Sequence, residues 1–291
     1  MNFRTASHAL LELNEAILNR EPIVNYADGT TMEGFVLSPG QLTVVGAPPG
    51  TGKTALAMQL VFEAMEQHRD VPVVIANAET DMKSLLRREV SRRSQVLLRD
   101  LRHAICTDLE IERAQQAVSE LVELCPRIAY MEPPFNAGEL SILLEGDKQG
   151  ILVVDYLQMF RLSGVDARSG VDDVVAVICA LAKQGWAVLA LSATTRNSKD
   201  GHDHAKLGLH SFKESGEIEF RSHVAYVLRD VTGEQLNSTR HIEIECLKER
   251  DGPAESLKLA FEGRYMRFEK AVPEPHEEFN EYAEHQPESV F

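Results

Sequence analysis

The chain reads as an α/β fold: a mostly parallel sheet with helices on both faces and antiparallel strands at one edge. Three observations predict it. Apolar runs at 42–46, 73–76, 126–130, 151–155 and 187–192 have strand length and are rich in Val, Ile and Leu. Helical patterns at about 53–68, 81–100, 110–124, 137–146 and 171–184 separate most of them, as crossover connections between parallel strands require. Two later apolar runs, 224–228 and 242–246, lack a long helix between them and are expected to pair antiparallel at the edge.

Residues 6–19 place Leu10, Leu11, Leu13, Ile17 and Leu18 at helical spacing, which predicts a short amphipathic helix ahead of the core. A helix of that length is marginal alone, so it is expected to dock on its own core or on a neighbouring subunit. Between Arg20 and Pro39 the chain reads as a polar, Gly-containing connector. Three parts follow: a linker helix and connector at 1–38, a core domain at 39–270, and a tail at 271–291. The tail holds six glutamates, three prolines and no Lys or Arg, and reads as acidic and disordered.

At 291 residues with 44% hydrophobic content, the chain can bury one generous α/β core, or one core plus a small appendage. It has no apolar run near the ~20 residues of a membrane helix, and Met1 to Arg20 mixes charges through its apolar residues, unlike a secretory signal. A cytoplasmic setting without membrane contact is expected. Cys106, Cys125, Cys179 and Cys246 lie far apart, which favours free thiols over a zinc site or disulfides. The net charge of −15 argues against a broadly basic nucleic-acid surface and leaves room for a local one. From Lys83 to Arg102 seven basic residues stand against Glu89 and Asp100, either as a solvated helix face or as a nucleic-acid or intersubunit surface.

The most informative segment is TVVGAPPGTGKTALAMQL, in which an apolar strand enters a Gly/Pro-rich loop, the loop ends in Gly-Lys-Thr, and a helix leaves it. Loop N–H groups and a helix N-terminus then face a triphosphate, with Lys53 on the β and γ oxygens and Thr54 on a magnesium ion. The expected ATP-binding stretch is Ala47, Pro48, Pro49, Gly50, Thr51, Gly52, Lys53, Thr54 and Ala55. The strict pattern has glycine where this chain has Ala47, with Gly46 one place early, and alanine is small enough for that bend.

GILVVDYLQMF is an apolar strand ending in Asp155, where a phosphate-loop ATPase carries the carboxylate of the magnesium shell. In VVIANAETDMKSLLRRE, Glu79 directly follows another apolar strand. It is placed to polarise an attacking water, or to favour the next helix through its dipole.

These segments, with VLALSATTRN, FKESGEIE and CLKERDGP, occur in the order found in the RecA-like ATPase domain of DnaB-type hexameric replicative helicases, which residues 40–268 resemble. The resemblance implies a RecA-like P-loop NTPase core and an ATP-dependent DNA helicase, a ring, expected to be a hexamer, that translocates on single-stranded DNA and unwinds duplex during replication. It makes Lys53 and Thr54 the phosphate and magnesium residues, Asp155 the second-motif acid that joins Thr54 at the metal and Glu79 the candidate general base, with Gln158 beside the nucleotide. Lys248 and Arg250, near Gly252 and Pro253, would reach a neighbour's γ-phosphate, and Lys213, Glu214 and Gly216 would line the pore and grip DNA. Helicase loaders or other replication proteins are the implied partners.

The chain departs from the family in three places. Ala193 replaces a glutamine thought to relay the γ-phosphate state to the DNA loops, leaving Thr194, Thr195 or Arg196 to compensate. Phe220 to His223, FRSH, replaces an acidic polar stretch. The family's N-terminal helical domain is expected to be absent. Two rivals stay open: a RecA-group DNA-binding or recombination ATPase, and an ATP-switched helicase-like adaptor, neither of which unwinds. His202, Asp203 and His204 are a weak metal cluster, and Trp186 reads as core or core rim.

Overall fold

The computed structural model describes residues 5–131, 140, 142, 146, 149–157, 167–194, 220–232, 239–252 and 255–271. Gln158, Lys213, Glu214, Gly216, Pro253, Thr195, Arg196, the His202 to His204 cluster, most of the helix expected at 137–146 and the tail after Ala271 lie outside them.

Among the described residues the strands are β1 (Leu42–Ala47), β2 (Val73–Asn77), β3 (Ile128–Met131), β4 (Ile151–Asp155), β5 (Ala187–Ala193), β6 (Val224–Asp230), β7 (Thr239–Glu249), β8 (Leu257–Glu262) and β9 (Arg267–Lys270). They form one sheet in the order β3-β2-β4-β5-β1-β6-β7-β8-β9. The six strands from β3 to β6 run parallel, and β7, β8 and β9 add antiparallel, so the expected class and its edge are both observed. Every residue of β1, β2 and β4 is buried, as near-continuous apolar runs covered on both faces should be.

The helices are α1 (Ala6–Asn19), α2 (Lys53–Gln67), α3 (Met82–Ser94), α4 (Leu98–His103), α5 (Asp108–Leu124) and α6 (Ala167–Lys183). On one face of the sheet α2, with Leu85 of α3 and Leu121 of α5, packs on Val45, Ile75, Val153, Leu189 and Leu191. The residues between these point to the other face, where Val174, Val175, Ile178 and Leu181 of α6 meet Val44, Leu152, Val154 and Ala190. Trp186 is buried in that second layer.

Four local findings refine the sequence reading. The helix expected at 81–100 breaks at Gln95, which takes a left-handed φ of 53°, so α3 and α4 are separate. A reciprocal capping box of Thr107 and Glu110 starts α5 slightly earlier than periodicity alone indicated. Strands β8 and β9 were not anticipated: the alternating Leu257, Leu259 and Phe261 were an available signal of a half-buried strand, whereas β9 buries little beyond Phe268. What secures β9 is a buried amide: Gln59 of α2 donates to the Phe268 carbonyl at 2.9 Å and accepts from its N–H at 2.8 Å.

The stretch read as a connector is in part core. Met32, Phe35 and Leu37 are fully buried, and Phe35 stacks on Tyr226 with ring centroids 4.3 Å apart. Asn25 ties the segment together, donating to the Phe35 carbonyl at 2.9 Å and accepting from the Leu37 N–H at 2.8 Å. Helix α1, in contrast, has no buried residue, and Leu10, Leu11, Leu13, Ile17 and Leu18 are all exposed. Of the two docking options expected for it, burial on its own core is not realised.

Candidate nucleotide site

Strand β1 lies between β5 and β6 at the centre of the sheet. From β1 the chain moves to one side, to β2, and from β5 it later moves to the other, to β6. The C-terminal end of β1 therefore lies at the topological switch where α/β sheets bind ligands. Ala47 closes β1 with an ordinary strand backbone, so its methyl group costs nothing where the strict loop pattern has glycine. Glycine is required further along. Gly52 has a φ of 107°, and a Cβ there would stand 3.1 Å from Phe268 Cζ and 3.3 Å from Phe261 Cε1.

Those two rings, stacked at 4.3 Å, are a floor under the loop that the sequence did not reveal. Arg240 is a second unanticipated support. Its guanidinium lies over Phe261 at 4.9 Å and donates to the Gly50 carbonyl at 2.9 Å. Gly52 as N-cap offers no side-chain bond, so the first N–H groups of α2 keep their capacity for an anion.

Lys53 Nζ donates to the Ala47 carbonyl at 3.0 Å. Burial lowers its pKa below the usual lysine range, while Asp155 and Glu79 pull in the opposite direction. Thr54 Oγ1 donates to Asp155 Oδ2 at 2.7 Å, so the helix start and the end of β4 meet directly. Register explains the third partner: Asn77 ends β2 opposite Asp155 and donates to the same oxygen at 2.8 Å.

The other end of the Asn77 amide accepts the N–H of Glu79 at 3.0 Å and of Thr80 at 2.8 Å. Asn77 thus fixes Asp155 and the Glu79 turn together. It was missed because an asparagine ending a strand reads as a turn residue, although its place at the end of VVIAN was the available signal. Glu79 itself is exposed at the mouth of the site.

Asp155 is 2% exposed, and burial raises its pKa above the ordinary carboxylate range. Glu79 adds to the rise, while Thr54, Lys53 and Asn77 oppose it. Among the described residues no group of three or more His, Cys, Asp or Glu gathers as a metal site. One hydroxyl and one buried carboxylate are instead a donor set suited to magnesium that keeps phosphate and water as its other ligands.

The raised pKa has a stability consequence. In the unliganded chain the contribution of Asp155 is intact at low pH and is lost as pH rises through its raised folded-state value. Asparagine never ionises. Asp155→Asn is therefore expected to raise the Tm of the unliganded protein, with a larger gain at about pH 8 than at about pH 4. Melting curves at both pH values check it, and a gain that shrinks with rising pH would refute it.

Lys248 and Arg250 are not part of this assembly. In β7, Ala225 pairs with Lys248 while Tyr226 pairs with Cys246, so Leu247 is an extra residue in a bulge. Without the bulge, Lys248 would share the face of Ile242, Ile244 and Cys246. The bulge moves it and Arg250 to the opposite face. Arg250 lies beyond the Val224–Glu249 pair, and Val224 is level with Thr43, near the start of β1. The phosphate loop leaves the far end of β1, roughly 17 Å along the strand direction. Arg250 Nη2 donates to the Phe220 carbonyl at 2.6 Å, well away from Lys53 of its own chain.

Comparison with known proteins agrees with this geometry. A solved structure of the ATPase domain of G40P superposes with a TM-score of 0.77 at 18% identity, covering 93% of this chain and all of that one. The structure of a DnaB-like replicative helicase and its interactions with primase gives 0.75 at 19% identity, covering 93% of this chain and 68% of that chain. At such identities the likeness shows the fold alone, a mostly parallel sheet with helices on both faces and an antiparallel edge. The replicative DNA helicase DnaB of Leifsonia xyli subsp. xyli (strain CTCB07) is 27% identical over 247 residues, covering 81% of this chain and 53% of the relative. The chain thus spans about half the length of that relative. Residues 28–270 match the model of the DnaB-like helicase C terminal domain, and the chain belongs to that family.

Proposed function

We propose that this chain is the ATPase motor of a ring-forming, ATP-dependent DNA helicase of DnaB type, acting on single-stranded DNA in replication. One observation carries the proposal. Lys53, Thr54, Asp155 and the Glu79 turn meet at the C-terminal end of the sheet, while Lys248 and Arg250 lie at its opposite end. A second copy is then needed to bring the two halves together, which makes hydrolysis depend on assembly as a homo-oligomer, expected to be a hexamer.

In this reading the loop from Ala47 to Gly52 and the start of α2 hold the phosphates, with Lys53 on the β and γ oxygens. Magnesium held by Thr54 and Asp155 would neutralise phosphate charge. Asn77 keeps Glu79 near its station at the mouth, where its carboxylate accepts a proton from the attacking water. Arg250 and Lys248 of the adjacent copy stabilise the charge that develops on the transferring phosphoryl group. Lys213, Glu214 and Gly216 are the DNA-contacting residues, Gln158 stands beside the nucleotide, and a loader or primase is the kind of replication partner expected. The working parts are the linker helix α1, the motor, whose core takes in Met32, Phe35 and Leu37 as well as residues 39–270, and the acidic tail at 271–291, in a cytoplasmic setting. Among the described residues no helix is long and apolar enough to cross a membrane.

Ala193 favours a second reading, a DNA-bound remodelling ATPase that does not unwind, because its side chain has no hydrogen-bonding group. Measuring ATP turnover with and without single-stranded DNA, across protein concentrations, tests catalysis and assembly together, and a forked-duplex assay separates the two readings. Turnover that rises cooperatively with concentration, is stimulated by DNA and is accompanied by strand release supports the helicase. Turnover with DNA binding but no strand release supports the second reading. Turnover independent of concentration would remove the shared site.

A further inference from the structure

Residues 77–80, the turn that carries Glu79, are held from two sides. On the side of β4 three N–H groups are taken: Ala78 donates to the Asp155 carbonyl at 2.8 Å, and Glu79 and Thr80 donate to the Asn77 side chain. On the side of β3 two carbonyls are taken. Tyr130 Oη donates to the Thr80 carbonyl at 3.0 Å and to the Asn77 carbonyl at 3.2 Å. A phenol has a single proton to give, and here two acceptors share it. The two carbonyls flank Glu79 in sequence, so one hydroxyl ties the two ends of its turn together.

Register and packing put the hydroxyl there. Tyr130 lies in β3 level with Ile75 of β2, two residues before Asn77. Its half-buried ring packs against the same apolar layer that holds Ile75 and Leu85 of α3. Immediately beyond the turn, Asp81 caps α3 by accepting the Ser84 N–H at 2.9 Å. The backbone on either side of Glu79 is thus fixed, while its side chain is exposed at the mouth of the site.

We infer that Tyr130 is a positioning residue for Glu79: its hydroxyl holds the turn so that the Glu79 carboxylate stays within reach of the water that attacks ATP. This rests on the proposed function, in which Glu79 accepts the proton of that water. A general base works only within hydrogen-bond reach of its proton, and a small misplacement of a reacting group costs rate. Asn77 and Tyr130 divide the task. Asn77 also donates to Asp155, so losing its amide would disturb the magnesium ligands together with Glu79. Losing the Tyr130 hydroxyl leaves the Asn77 amide bonded to Asp155 and the phosphate loop with its own contacts.

Tyr130→Phe removes the hydroxyl and keeps the ring. In the assembled protein, kcat for ATP is expected to fall about threefold to tenfold, the scale of one hydrogen bond, with KM and the affinity for a non-hydrolysable analogue unchanged. An unchanged kcat, or a loss of affinity as large as the loss of kcat, would overturn the inference. The same change made in a Glu79→Gln chain is expected to lower the residual turnover no further, because the group that Tyr130 positions is already gone. A further loss of equal size would mean that the hydroxyl acts on something else.

Amide hydrogen exchange separates a local role from general loosening. The Glu79 and Thr80 amides are expected to exchange about threefold to tenfold faster in Tyr130→Phe, and the amides of Leu56 to Leu60 in α2 at their natural rate. Exchange that quickens equally in both segments, or in neither, counts against the inference. Glu79→Gln alone distinguishes the two levels. If it keeps full turnover, the general-base reading fails; if it abolishes turnover while Tyr130→Phe behaves as the natural chain does, only the role of Tyr130 fails.

Discussion

Arg250→Ala is expected to lower ATP turnover of the assembled protein by about 10³- to 10⁵-fold, the range that an arginine supplied to a transferring phosphoryl group commands. Nucleotide binding by the separate chain should be unchanged, because Arg250 lies at the far end of β1 from its own phosphate loop. Turnover assays and titration with a fluorescent nucleotide measure the two quantities. Mixing decides the geometry. Arg250→Ala chains combined with Lys53→Ala chains should regain part of the lost turnover, since an interface pairing an intact Lys53 with an intact Arg250 re-forms in the mixed assembly. Mixtures that stay as inactive as either parent would mean that both residues serve one chain.

Lys53→Ala is expected to cost about 10²- to 10³-fold in turnover, as removal of one preorganised donor does elsewhere. Its signature differs from that of Arg250→Ala. Lys53 is half-buried beside its own loop, so its loss should also weaken binding and abolish the rise in Tm that a saturating ATP analogue gives the natural chain. A variant with normal ligand-induced stabilisation would show that another group holds the phosphates. The fold itself should survive, because among the described residues the Lys53 side chain bonds only the Ala47 carbonyl and fills no part of the apolar core.

The layout of the candidate site was legible where it is written in adjacent residues. Gly50, Gly52, Lys53 and Thr54 follow one another, and the strand before and the helix after them set their orientation with little help from elsewhere. Asp155 was legible for a similar reason, since an apolar strand that ends in an acid places it at the C-terminal end of the parallel strands, where ligands bind. Asn77 was not, because its value lies in being level with Asp155 across two strands that the sequence places 78 positions apart. The same holds for the aromatic floor, where Phe261 and Phe268 reach Gly52 from the other end of the chain. The segment at 25–38 misled through composition: its turns are polar, but Met32, Phe35 and Leu37 between them are core.

Periodicity and short motifs alone were enough to establish the parallel sheet, its antiparallel edge, the phosphate loop and the family resemblance, since each depends on spacings of a few residues. Three things were decided by tertiary structure: the joining of Thr54, Asn77 and Asp155 into one network, the removal of Lys248 and Arg250 to the opposite end of the sheet, and the grip of Tyr130 on the turn that carries Glu79. The physical reason is common to all three. Strand register and a single-residue bulge set which distant groups meet and which face a side chain takes, and neither is encoded in the identity of the residues that it brings together.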